Sequence, residues 1–133
     1  MREFAHQQTT LLLRRLSVHI NRAARTGDPD SVHDLRVGIR RLSRCLRVFA
    51  QFYTGHSWKK IRRRLRDLMS ACGNVRDRDI ALDLLTKAGF SGTSIVMLRL
   101  NLERAEALHD LMSELRRWKQ RGAARKWRAQ LGL

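Results

Sequence analysis

Between Val32 and Phe49 the chain reads VHDLRVGIRRLSRCLRVF, and its apolar residues recur at steps of three and four. Val32, Leu35, Ile39, Leu42, Leu46 and Phe49 fall within roughly 100° of a wheel that turns about 100° per residue. That spacing demands an α-helix with one buried stripe, because a strand with a period of two would scatter these residues over both faces. The pattern returns in Trp58, Ile61, Leu65, Leu68 and Cys72. It returns again in Ile95, Leu98, Leu102, Ala105, Leu108, Met112 and Leu115. No stretch alternates as a strand, and the chain holds one proline, so the fold class is all-α, an antiparallel bundle of about five helices with short connections.

Turn residues set the predicted boundaries. In Thr26-Gly27-Asp28-Pro29, Gly27 suits the left-handed position after a helix, Asp28 the N-cap of the next, and Pro29 its first turn. Thr54-Gly55 is read as the end of the second helix and Cys72-Gly73-Asn74 as the end of the third. Asn74, with Asp77 three residues on, then caps a fourth helix. Gly89-Phe90-Ser91-Gly92 precedes a long last helix that runs to about Arg121, and 122–133 is read as a basic, frayed tail. At 133 residues the chain, 1–133, forms one domain.

The polar face of Val32–Phe49 is of one sign. His33, Arg36, Arg40, Arg44 and Arg47 occupy roughly 80° of the wheel, nearly opposite the apolar stripe. Like charges at these spacings repel by a few tenths of a kcal/mol per pair, so the row calls for an external counter-charge. Lys59, Arg62, Arg63 and Arg66 repeat the arrangement on the third helix. From His33 to Arg66 there are 11 Lys and Arg residues against one acid, Asp34. Packed as an antiparallel hairpin, the two helices set both stripes along one groove suited to a chain of phosphates. Gly38, inside the helix at a cost of about 1 kcal/mol, either admits a neighbouring helix or is ordinary drift.

The whole chain carries a net charge of +16, and self-repulsion of that size favours a polyanionic partner. Of its 28 cations 23 are arginine, whose planar fork fits phosphate oxygens as an ammonium does not; a GC-rich genome would give the same skew. Cys45 and Cys72 are too few for a disulfide framework or a zinc clip, and both fall on apolar faces. No apolar run reaches the roughly 18 residues of a membrane span, and the N-terminal run is too short for a signal peptide. A cytoplasmic location without membrane contact is expected.

His33-Asp-Leu-Arg36-Val-Gly-Ile-Arg40-Arg41-Leu-Ser-Arg44 resembles the signature helix of the CHAD domain, the conserved-histidine α-helical domain. Gly73-Asn-Val-Arg76-Asp77-Arg-Asp79 resembles its second signature, and Leu65-Arg66-Asp-Leu68 precedes it at the proper distance. The resemblance covers about residues 11–85 well and the last helix loosely, through Glu103-Arg104. It implies a helical domain whose basic surface binds inorganic polyphosphate without catalysis or cofactor, often alongside triphosphate-processing enzymes and at polyphosphate granules. By position the resemblance makes His33, Arg36, Arg40, Arg41, Arg44, Arg62, Arg66 and Arg76 binding candidates; Arg47, Lys59 and Arg63 come from the wheel alone. The imidazole of His33 either donates to phosphate or is an ordinary first-turn histidine. Asp77 and Asp79 are read as structural, capping a helix and orienting arginines such as Arg76. The family usually has two pseudo-symmetric halves and this chain resembles one, so a homodimer is expected to rebuild the second.

Two other classes compete with this reading. A nucleic-acid module finds support in Arg116, Arg117, Lys119, Arg121, Arg125, Lys126 and Arg128 with Trp118 and Trp127 interleaved, a pattern that suits single strands. No helix-turn-helix, RNA-recognition or zinc-finger signature accompanies it, and Trp118 is more readily read as a core residue. A phosphate-ester enzyme would want convergent carboxylates for metal, or a nucleophile beside a base; the acids here are scattered, so no catalytic or metal-ligating residue is assigned.

Overall fold

A computed structural model describes residues 1–133. Its helices are α1 (Arg2–Thr26), α2 (Pro29–Val48), α3 (Ser57–Lys87), α4 (Ile95–Gln120) and α5 (Ala123–Gln130), with a 3-10 turn at Ala50–Phe52. Consecutive helices pack side by side, and α1 closes against α4 to complete an antiparallel four-helix body on which α5 rests. The core is aliphatic: Leu13, Leu16 and Ile20 meet Leu35, Ile39, Leu42 and Leu46 of α2, Ile61 and Leu65 of α3, and Leu111 and Leu115 of α4. The apolar stripes predicted for α2 and for the first half of α3 are buried here except at Phe49 and Trp58, which are half-buried at their ends.

The α1–α2 turn follows the sequence reading. Gly27 is left-handed at φ 61°, and the Asp28 carboxylate caps α2 by accepting from the Ser31 amide at 2.7 Å. That amide, with the Ser31 hydroxyl beside it, holds the Asp28 carboxyl below its ordinary value of 3.8. Gly27 is also a contact requirement, since a Cβ there would stand 2.9 Å from the Met112 methyl. Gly38 lies where α1 crosses α2, its missing Cβ 3.0 Å from Cδ2 of His19, so close approach is the reading that the packing favours. The α2–α3 connection is tied down by Tyr53, whose hydroxyl meets Thr9 Oγ1 of α1 at 2.5 Å.

Four features differ from expectation. Helix α2 ends at Val48, and residues as far as Thr54 form the 3-10 turn and a short extended piece. Cys72-Gly73-Asn74 ends nothing: α3 runs through it for 31 residues, so Asn74 and Asp77 lie mid-helix and cap no fourth helix. The propensity penalty of Gly73 is about 1 kcal/mol, and burying Leu68, Cys72 and Val75 on either side outweighs it. The segment 122–133 is no frayed tail, because Trp127 packs edge-on against Trp118 with ring centroids 4.4 Å apart, both rings buried. Finally, the stripe of the last helix is core only in part. Leu111 and Leu115 are buried, whereas Ile95, Leu98 and Leu102 are 82%, 51% and 68% exposed.

That last difference follows from length. At 1.5 Å per residue α3 spans about 46 Å and α2 about 30 Å, so the α3–α4 hairpin outruns its neighbours. The overhang begins at Asp79, whose Oδ1 accepts from Arg104 Nε at 2.5 Å while Arg104 Nη2 donates to the Gly27 carbonyl at 2.8 Å. One buried ion pair thereby joins α3, α4 and the α1–α2 turn. Between Asp79 and Arg104 only Met97 is buried.

Candidate functional site

Helices α2 and α3 run antiparallel, so residues late in α2 stand beside residues early in α3. Arg40, Arg44 and Arg47 from α2 and Arg62 and Arg66 from α3 border one concavity of about 330 Å³, floored by Ile39, Leu65 and Met69. Ser43 supplies a hydroxyl to the same wall, and no carboxylate lines it. None of the five arginines forms an ion pair; the arginines that do are Arg22, Arg78, Arg104 and Arg117. Arg62 is steadied by the Trp58 ring, with its guanidinium carbon 5.6 Å from the centroid. Five cations without internal anions concentrate positive potential along this groove.

The strip continues toward the start of α2. Arg36 is half-buried, its Nε buried without a partner, and close enough to act on the Cys72 thiol. Burial pushes that thiol up to about 12, the positive charge of Arg36 working the other way. On the wheel Gly73 and Arg76 fall on the same strip of α3, one and two turns beyond Met69. A Cβ on Gly73 would meet nothing within 4 Å, so the strip is open above it. His33 is exposed in the first turn of α2, and from His33 to Arg47 the row is about 21 Å long.

Three candidates lie elsewhere. Arg41 sits two turns along from Asp34, on the side of α2 where Asp34 pairs with Arg22 of α1, and does not border the concavity. Lys59 and Arg63 are exposed on the outer surface of α3 and do not line it either. Asp79 orients Arg104 rather than Arg76, and Asp77 is exposed. Ser43 and Met69 escaped the charge pattern; their positions, three residues from Arg40 and from Arg66, were the available signal. Trp118 and Trp127, the stacking candidates for single strands, are spent on each other in the core and offer no free ring face.

The family model described as the CHAD domain matches residues 7–132, nearly the whole chain. The chain belongs to the CHAD family. Nothing matches among curated proteins or among solved structures. As a family, CHAD domains are associated with polyphosphate. In this CHAD domain both signature segments fall along the α2–α3 seam, the first supplying one wall of the concavity and the second extending the other. No helix is long and apolar enough to cross a membrane.

Proposed function

We propose that this CHAD domain binds inorganic polyphosphate, without turning it over, in the groove between α2 and α3. The observation that carries the reading is the convergence of Arg40, Arg44, Arg47, Arg62 and Arg66 on one concavity that holds no carboxylate. A chain of phosphates brings one negative charge per repeat and oxygens on every side, so it can accept guanidinium forks from both walls at once. Arg36, Arg76 and His33 extend the row past the concavity, and the bare Cα of Gly73 leaves room for a chain to pass. Arg41, Lys59 and Arg63 contribute long-range field rather than contact. On this reading the protein works in the cytoplasm, at polyphosphate granules, and two copies act together.

Labelled polyphosphate competed at fixed salt against duplex DNA, single-stranded RNA and orthophosphate tests it. Polyphosphate is expected to be displaced only by unlabelled polyphosphate at comparable phosphate concentration. Equal displacement by RNA would move the reading to a general polyanion or nucleic-acid module. Orthophosphate released from long-chain polyphosphate would make the protein an enzyme. All the polyanions weaken with salt, so salt dependence alone separates none of them.

A further inference from the structure

The overhanging hairpin differs from the body in charge and in polarity. From Asp77 to Asp110 there are six acids against four bases, net −2, while the remaining residues carry 24 bases against six acids, net +18. Seven of the eleven exposed large apolar residues lie in this segment; the other four are Met1, Phe4, Val18 and Val48. Three of the seven, with Ala105, form a row. Ile95, Leu98, Leu102 and Ala105 follow steps of three, four and three along the edge of α4 that faces away from α3. That is the a/d spacing of a coiled-coil seam, here with no helix against it.

We propose that a second copy of this chain covers the seam, the two α4 helices running antiparallel about a two-fold axis near Leu102. Three observations select this occupant. No other helix carries more than two exposed large apolar side chains, so the seam of a second copy is the best match this chain offers to its own. Two chains of net charge +16 repel wherever their bodies face each other, and the hairpin is where that repulsion vanishes. The flanking charges are self-complementary: Arg99 and Glu106 lie seven residues apart on one side of the seam, and an antiparallel pair sets Arg99 opposite the partner's Glu106, twice. Leu102, Ala105, Glu106 and His109 also border a shallow cavity of about 480 Å³, and their i, i+3, i+4, i+7 spacing forms a hole for one knob. The short side chain of Ala105 gives it depth. The seam shares no residue with the arginine groove, so the pairing stands whether or not polyphosphate is the ligand.

Light scattering on the full chain, free of polyanion, is expected to return twice the 15.5 kDa chain mass. Leu98→Glu with Leu102→Glu should halve that mass and leave the helical circular dichroism unchanged, since both residues are exposed within one chain. Glu106→Arg should also dissociate the pair, and adding Arg99→Glu to it should restore the dimer. As a check that needs no charge at the seam, Leu102→Cys, which stands beside its own copy at the two-fold axis, should oxidise to a covalent dimer while Val18→Cys, comparably exposed outside the hairpin, should not. A wild-type chain that stays at 15.5 kDa at its highest soluble concentration overturns the proposal. So does a dimer that survives the leucine replacements, or a charge swap that fails to restore it. Polyphosphate binding by the monomeric variant is a separate readout, and its loss would bear on the groove rather than on the seam.

Discussion

Helix α3 is one continuous rod with two different ends. From Ser57 to Arg76 it carries seven bases and one acid, and its flank joins α2 to make the arginine groove. From Asp77 to Lys87 it carries three acids and two bases, and its flank turns apolar with Ile80 and Leu84 exposed. The change comes at Asp79, where the buried pair with Arg104 marks the last point at which the body touches the hairpin. A helix thus serves two surfaces of opposite chemistry when its neighbours end partway along it. The near end turns arginines toward a groove without carboxylates, and the far end, of mixed charge, leaves apolar side chains uncovered. The first arrangement suits a mobile anion and the second suits a protein surface.

The largest effect should come from attacking the near end. Arg40→Glu with Arg66→Glu removes one guanidinium from each wall and puts a carboxylate in its place. With each charge-assisted contact worth about 1.5–3 kcal/mol, the loss should be at least 3 kcal/mol, or ~100-fold in polyphosphate affinity by titration calorimetry. The same reversals at Arg125 and Arg128, exposed on α5, should cost far less; equal losses would mean that net charge, not the groove, does the binding.

Next is the boundary itself. Arg104→Leu leaves the Asp79 carboxylate buried without its partner, which should lower stability by about 3 kcal/mol in urea denaturation. Because that pair is separate from the concavity, polyphosphate affinity of the folded fraction should hold. A fall in affinity with unchanged stability would show that the two ends are coupled through α3.

Gly73→Ala sharpens the comparison more finely, since fold and groove predict opposite signs. The backbone of Gly73 is not left-handed and nothing crowds its Cα, so alanine should stabilise α3 by up to about 1 kcal/mol. The added methyl projects into the strip between Met69 and Arg76, so affinity should fall as melting temperature rises. A rise in both would place the ligand elsewhere.

The smallest effect is in alkali. Burial raises the Cys72 thiol from an ordinary 9.0 to about 12. The native state therefore favours the protonated thiol, and its contribution to stability is complete below pH 9 and lost as the pH climbs from 9 toward 12. Melting curves across that window should fall less steeply for Cys72→Ala than for wild type, with no difference in slope near neutral pH.

The sequence by itself determined the helices of the body, the α1–α2 turn and the arginine rows. Each follows from chain-local rules: periodicity sets a buried face, Gly27-Asp28-Pro29 fits the dihedrals of a helix junction, and a one-sign row is visible on any wheel. It did not determine which member of a row faces a neighbour. Arg40 and Arg41 look alike on paper, and only the position of α3 puts the first in the groove and the second beside α1. Nor could it separate Ile95, Leu98 and Leu102 from Leu111 and Leu115, which continue the same apolar pattern down α4. Amphipathicity says that a face is apolar, whereas what covers it depends on where the neighbouring helices stop, and that is settled by the relative lengths and register of α1, α2 and α3 in the assembled bundle. Gly73 misled for the converse reason: a local signal for helix termination was overridden by burial of Leu68 and Cys72 before it and of Val75 after it.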